Sequence, residues 1–273
     1  QCLWAALLEL DLEWNSIAGT LDWSTSLPEL TTLNLRHNQI EAIAALTQWL
    51  TAQPKAEVWT GATVHRVTDG GLHTTDGRRA AAREIVVCSG DDFRTLYPDL
   101  FTAAGLTRCK LQMMRTRPQP DGWRLGPTLA TGLSLCHYES FARCPGQAAV
   151  RERLAAQWPE HFGFGIHVLA AQNQLGEVLI GDSHEYGLEF DSVERVEIEA
   201  LILDYLANVL ELPDPRVAER WHGTYARGTA EQVPFVPSPE PSVTVVTSAA
   251  GAGMTMSFGL AERVLDGLAE RDL

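Results

Sequence analysis

The chain has 273 residues and a mass of 30.0 kDa, enough for one large domain or two modest ones, each burying its own core. Hydrophobic residues make up 45% and charged residues 21%, which is ordinary for a soluble globular protein. A formal net charge of −14 with a pI near 4.9 argues against a nucleic-acid footprint or a polybasic membrane patch, so an anionic substrate would need a local basic cluster. No apolar run reaches the roughly 18–20 residues of a bilayer span, and Gln1 to Leu12 lacks the basic flank of a secretory signal. The five cysteines, Cys2, Cys88, Cys109, Cys136 and Cys144, include no Cys-x-x-Cys pair, which points to a reducing cytoplasm rather than a disulfide framework or a zinc cluster. An opening on Gln1 rather than Met fits a fragment or an incomplete reading frame.

In chain order, Leu7-x-x-Leu10-x-Leu12-x-x-Asn15-x-Ile17 and Leu30-x-x-Leu33-x-Leu35-x-x-Asn38-x-Ile40 share one spacing, 23 residues apart, like two leucine-rich repeats. Two such units cannot bury a solenoid core alone. The second competes with a helix over about Gln39 to Ala52, started by Asn38 with Glu41, lined by Ile40, Ile43 and Leu50, and ended by Pro54. Short strands joined by glycine turns are expected at Glu57–Trp59, Ala62–Val67, Leu72–Thr74 and Glu84–Cys88, the last running into Ser89-Gly90. Phe93 to Leu96 reads as a short helix broken by Pro98. Leu106 to Thr116 alternates as a strand, with Arg108, Lys110 and Gln112 on one face and Cys109, Leu111 and Met113 on the other; such a polar face is usually solvated.

Leu133 to Phe141 reads as a further strand carrying His137 and Tyr138, and Gln147 to Gln157 as a helix. Gly165–Ala170 and Glu177–Gly181 form a strand pair around the Gln172–Gly176 turn, and the second runs into Gly181-Asp-Ser-His-Glu-Tyr186. Five polar residues after a buried strand make a candidate site. No metal spacing stands out there, because adjacent His184 and Glu185 point to opposite sides of an extended chain. Glu194 to Leu210 is a helix stopped by Pro213 and Pro215, and Ala226 to Val236 is an irregular loop.

Near the end, Ser242 to Thr247 reads as a buried strand, and Met254, Phe258, Ala261, Leu265 and Leu268 recur at helical spacing. Between them Gly251 and Gly253 would let backbone approach a ligand, with the first helical N–H groups facing it. An ordinary tight turn accounts for the glycines alone. The longer string Gly251-Ala-Gly-Met-Thr-x-Ser-x-Gly-x-Ala-Glu262 resembles the C-terminal flavin-contacting motif of the FAD-dependent amine and amino-acid oxidases, the D-amino-acid oxidase, glycine oxidase and sarcosine oxidase superfamily. Leu35-Arg36, Glu41 to Ile43, Leu46 and Trp49-Leu50 resemble its long helix after the crossing loop, and the Gly181 to Tyr186 string looks like the branch associated with aminophosphonate breakdown.

The resemblance implies an α/β (α+β) fold, with a partial FAD-binding domain built on a mixed sheet and a substrate domain built on an antiparallel sheet. It divides the chain into an atypical leucine-rich stretch at 1–34, a partial FAD-binding domain at 35–100, a substrate domain at 101–228 and a return to the FAD-binding domain at 229–273. It further implies FAD as cofactor, with Gly251, Gly253, Met254 and Thr255 at the flavin, and Val64, Ser89 and Gly90 toward the adenosine. His184, Lys110 and Tyr138 are its candidates for substrate, with Arg108 beside Lys110 for an anion. The implied reaction moves a hydride from the carbon next to an amine nitrogen to the flavin, after which the imine hydrolyses and dioxygen is reduced to hydrogen peroxide. The implied substrate is 2-aminoethylphosphonate or an N-alkyl derivative. The chain departs from that pattern in having no Gly-x-Gly-x-x-Gly turn for the FAD pyrophosphate, so a second chain supplying that segment is an expected partner. The rival reading is a non-catalytic interaction protein with a leucine-rich binding surface, the remainder being an inactive oxidase relic.

Overall fold

The structure is a computed structural model that describes residues 7–9, 32–34, 47–68, 70–248, 250–251 and 253–269. It divides into two compact units, one formed by 1–107 with 225–273 and the other by 108–224. Among the described residues no helix is long and apolar enough to cross a membrane.

In the first unit, strands β1 (Leu7–Glu9) and β2 (Thr32–Asn34) pair in parallel, Leu7 opposite Thr32. That is a displacement of 25 residues along the chain, not the 23 of the repeated spacing. Most of the leucine-rich stretch and the first part of the expected 39–52 helix lie outside the described residues; residues 47–51 are helical (α1). Strands β3 (Val64–Thr68), β4 (Gly71–Thr74) and β5 (Arg79–Ala81) form an antiparallel meander, with a bulge between Val64 and Arg66. The expected strand at Glu57–Trp59 does not form. Instead Trp59 Nε1 donates to the Glu57 carboxylate and the Arg78 guanidinium lies 4.7 Å over the Trp59 ring, a local arrangement that needs no sheet neighbour.

Strand β6 (Ile85–Val87) pairs in parallel with β13 (Val243–Val245), and every residue of both is buried, as befits a sheet covered on two faces. Pro98 opens helix α2 (Pro98–Ala104) rather than breaking one at Phe93–Leu96. Its fixed φ and missing N–H suit the first helical position, where that donor has no partner in any case. Phe93 and Phe101 stack with centroids 4.8 Å apart in a core that also holds Val64, Leu72, Ile85, Val87, Val243 and Val245.

In the second unit, β7 (Thr107–Thr116) is the central strand of an antiparallel sheet in the order β11-β7-β10-β9-β8, with β12 (Val217–Arg227) also pairing β7. The others are β8 (Leu129–Ala130), β9 (Leu169–Gln172), β10 (Val178–Gly181) and β11 (Glu185–Gly187). Helix α6 (Val196–Ala207) presents Ile198, Ile202, Tyr205 and Leu206 at helical spacing to a core shared with Val168, Ala170, Val178 and Ile180. The expected strand over Leu133–Phe141 is instead the short helix α3 (Ser134–His137) and a 3-10 turn at Glu139–Phe141. Ser134 N–H bonds the Thr131 carbonyl at 3.0 Å and Cys136 N–H bonds that of Leu133 at 2.9 Å. These local bonds close one turn around the buried Leu133 and Ser134, and an alternation this short does not distinguish that turn from a strand. Helices α4 (Gln147–Gln157) and α5 (Pro159–Gly163) follow α3. Helix α7 (Gly253–Ala269) closes the chain in the first unit. Leu268 is buried there with Val86 and Cys88, while Phe258, expected on the apolar face, is 49% exposed.

Candidate functional site

The first candidate site follows from the parallel pair. Val243, Thr244 and Val245 lie opposite Ile85, Val86 and Val87, and the Val246 N–H bonds the Val87 carbonyl at 2.8 Å. The carboxyl ends of both strands therefore fall at one edge, toward which Ser89-Gly90 and Ser248, on the way to α7, both lead. In open α/β sheets ligands bind beyond the carboxyl ends of parallel strands. Gly90 has φ 60, so the chain leaves β6 in a conformation that favours glycine. Ser89 is buried and its hydroxyl donates within its own turn to the Asp92 carbonyl at 3.4 Å.

Gly253 is the first residue of α7, and a Cβ there would lie 2.5 Å from Ser248 Oγ and 3.1 Å from Ser248 Cβ. A Cβ on Gly251 would lie 3.4 Å from Tyr225 Cζ. Met254 and Thr255 sit in the first turn of α7, whose unpaired N–H groups and positive dipole end suit polar or anionic oxygens. Val64 places its side chain in the core beside Ile85 and Val245, which leaves its backbone, next to the β3 bulge, as the part able to meet a ligand.

The second candidate site is in the other unit, where β10 gives way to β11 along β7. Gly181 lies opposite Met113 and Glu185 opposite Lys110, so four steps on one strand match three on the other and the extra residue makes a bulge. His184 leaves that bulge with its Nδ1 3.0 Å from the Gly165 carbonyl, which accepts its proton. His167 exchanges backbone hydrogen bonds with Asp182, and its ring Nδ1 lies 3.3 Å from Ser134 Oγ. His137, at the end of α3, completes a stack of three imidazoles, with centroids 3.9 Å from His167 and 4.1 Å from His184. Asp182 Oδ1 lies 3.3 Å from His167 Nε2 and 3.8 Å from His184 Nδ1, yet makes no hydrogen bond.

Burial sets the protonation here. It pushes the Asp182 carboxyl up to about 8, and it pushes His167 down to about 2, with the neighbouring His137 and His184 adding in the same direction. Tyr138 is 43% exposed, and its partial burial followed by the Asp182 charge raises its phenol above the ordinary range. His184 and Tyr138 are candidates from the sequence, and Asp182 lies in the same polar string; the structure adds His167, which it brings against Asp182. His167 sits in an apolar strand with no polar neighbour, and only its backbone pairing with Asp182 would have linked the two.

Lys110 and Gln112 differ from expectation. The face of β7 read as solvated is buried at both, Lys110 being 1% exposed. Lys110 Nζ donates to the Asp191 and Val193 carbonyls at 3.2 and 3.3 Å, with Glu185 Oε1 3.9 Å away. Gln112 binds both the N–H and the carbonyl of Arg195. These side chains therefore anchor the segment entering α6, and Arg108 is engaged with Thr224 Oγ1 at 3.1 Å and lies over the Phe190 ring. An anion bound at Lys110 would have to displace that anchor.

Gly165 has φ 59, and a Cβ there would lie 2.9 Å from His184 Cβ and 3.2 Å from its carbonyl oxygen. Gly165→Ala is expected to lower stability by about 1–3 kcal/mol, through backbone strain and displacement of His184. Urea unfolding of the variant beside the wild type measures this, and an unchanged midpoint would show that the close packing under His184 carries no weight.

The family described as DAO, FAD dependent oxidoreductase, matches residues 37–266. No curated protein sequence matches. Among solved structures, glycine oxidase from Geobacillus kaustophilus superposes with a TM-score of 0.54 at 16% identity, covering 84% of this chain and 53% of that one. A modified fructosyl peptide oxidase from Aspergillus nidulans gives 0.54 at 11% identity, covering 84% and 54%. L-proline dehydrogenase from P. horikoshii gives 0.51 at 16% identity, covering 75% and 48%. The chain thus spans about half the length of these structures, and the likeness is one of fold. The mixed α/β architecture expected from the sequence is present. FAD is the cofactor of the matched family, and the edge formed by Ser89-Gly90 and the start of α7 fits its polar and anionic parts.

Proposed function

This chain belongs to the DAO family of FAD-dependent oxidoreductases, and from that premise we propose that it takes part in the oxidation of a small primary or secondary amine. The observation that carries the reading is the register of β6 against β13, which gathers Ser89, Gly90 and the turn into α7 at one carboxyl edge. Gly251, Gly253, Met254 and Thr255 would hold the flavin and its ribityl chain, and the backbone of Val64 with Ser89 and Gly90 the adenosine side. FAD, when bound, supplies the acceptor for a hydride. The protein's part is to orient the amine, exclude bulk water and keep its nitrogen unprotonated. The imine product would be hydrolysed by water, with dioxygen as the proposed terminal electron acceptor, reduced to hydrogen peroxide.

His184 and Tyr138 are the side chains assigned to the substrate; Lys110 is withdrawn from that role by its carbonyl partners. The Gly181 to Tyr186 string supports 2-aminoethylphosphonate or an N-alkyl derivative as substrate. The phosphate-binding glycine turn, which this sequence does not contain, is assigned to a partner segment or second chain. The scatter of the five cysteines, with no Cys-x-x-Cys pair, supports a reducing compartment.

The test is anaerobic mixing of the FAD-loaded chain with each amine, followed by air. Loss of the oxidised-flavin absorbance with the aminophosphonate, then its return with peroxide, is the expected result. Bleaching by glycine or proline alone would keep amine oxidation and reject the phosphonate, and no bleaching by any amine would reject both.

A further inference from the structure

We infer that His137, His167 and His184, beside Asp182, form a binding site for one divalent transition-metal ion of the zinc class. The three imidazoles come from separate segments, α3, the run before β9 and the bulge after β10, yet one ring nitrogen of each lies within 4.8 Å of the others. Neutral imidazole is a ligand such ions prefer, and three histidines with a water in the fourth position make a four-coordinate site, with Asp182 as the carboxylate beside it.

Two further features point the same way. Asp182 is only 9% exposed, and its Oδ1 makes no hydrogen bond although His167 Nε2 and His184 Nδ1 stand 3.3 and 3.8 Å away. A buried carboxylate oxygen is normally hydrogen-bonded or bound to a cation. An ion at this position would supply the missing positive charge, and it would turn the stack of histidines from a cost of burial into a ligand set. The outer contacts are also those of ligating histidines. His184 donates its Nδ1 proton to the Gly165 carbonyl, which makes Nε2 the lone-pair nitrogen, and His167 Nδ1 has the Ser134 hydroxyl as its partner.

In the present arrangement the rings cluster with centroids 3.9–4.9 Å apart and planes inclined at 25–43° to one another. Around a tetrahedral ion with bonds of about 2.0–2.1 Å, ligand nitrogens stand about 3.4 Å apart. Binding therefore requires the rings to tilt out of the stack, chiefly that of the part-buried His137 on its short helix. The ion would then tie α3, the segment before β9 and the bulge to one another.

The inference does not rest on the amine-oxidase reading, although both use His184, and its test does not use flavin. The full chain, stripped with chelator and dialysed, is titrated with Co2+ as an optical probe and with Zn2+, and bound metal is counted after desalting. The expected result is one equivalent per chain, visible d–d bands, and a metal-dependent rise in melting temperature. Asp182→Asn and His184→Gln should each weaken binding at least tenfold, whereas the exposed control His65→Gln should bind as the wild type does. Absence of stoichiometric metal on the wild type overturns the proposal whatever the variants do. Equal affinity in folded Asp182→Asn and His184→Gln overturns it as well.

Discussion

Replacing Lys110 by methionine should lower the stability of the chain by about 2–4 kcal/mol, although the new side chain has nearly the same length and more apolar character. The hydrophobic gain is outweighed by what the ammonium leaves behind. The Asp191 and Val193 carbonyls lose their donor, and Glu185, whose buried Oε1 already lacks a hydrogen bond, loses the only cation the structure gives it as an ion-pair partner among the described residues. A buried group deprived of its partner costs more than the original bond contributed. Urea unfolding gives the size of the loss, and limited proteolysis should show earlier cleavage around 188–195, the segment Lys110 and Gln112 hold. A variant as stable as the wild type would return Lys110 to the list of groups available for a ligand.

Gly253→Val should reduce FAD affinity by at least about tenfold, about 1.4 kcal/mol, while leaving the helix content unchanged. The serine hydroxyl can rotate away from an added Cβ at 2.5 Å, but Ser248 Cβ at 3.1 Å cannot, so the turn must open. Opening it breaks the bond from Ser248 Oγ to the Ala250 carbonyl and moves the first N–H groups of α7 away from the carboxyl edge. The packing of Leu265 and Leu268 further along the helix is not touched. Gly259→Ala is the matched control: nothing lies within 4 Å of its added Cβ, and alanine in a helix interior is expected to stabilise by about 0.5–1 kcal/mol without affecting FAD. Flavin fluorescence titration of the two variants separates the cases.

The elements that could be read from the sequence are those whose period is long enough to be unambiguous. The alternation of β7, the apolar run of β10 and the i, i+4, i+7, i+8 pattern of α6 each match one packing environment. The short elements were less legible. Three or four alternating residues at Leu133 to Phe141 fit one turn of helix as well as a strand, β5 consists of three residues, and Pro98 is compatible with either end of a helix.

The sites divide in the same way. The glycine turn before α7 was legible as a turn, since small residues between a buried strand and an amphipathic helix suit one, whereas its role toward FAD rests on the longer family-like string. The assembly around Asp182 was not, because His137, His167 and His184 meet only through the β9–β10 pairing and the bulge opposite β7, and no local spacing encodes that meeting. Lys110 was misjudged for a related reason. An alternating strand tells which side chains share a face, but whether that face meets water or a carbonyl-lined segment 81 residues later depends on tertiary structure.

Whether the carboxyl edge of β6 and β13, with the start of α7, seats FAD is decided by incubating the full chain with excess FAD, removing free cofactor by gel filtration, and recording the visible spectrum of the protein fraction. Oxidised-flavin bands that travel with the wild type, and are lost from Gly253→Val but kept in Gly259→Ala, are the predicted result. A colourless wild-type fraction, or bands retained equally by Gly253→Val, would contradict it.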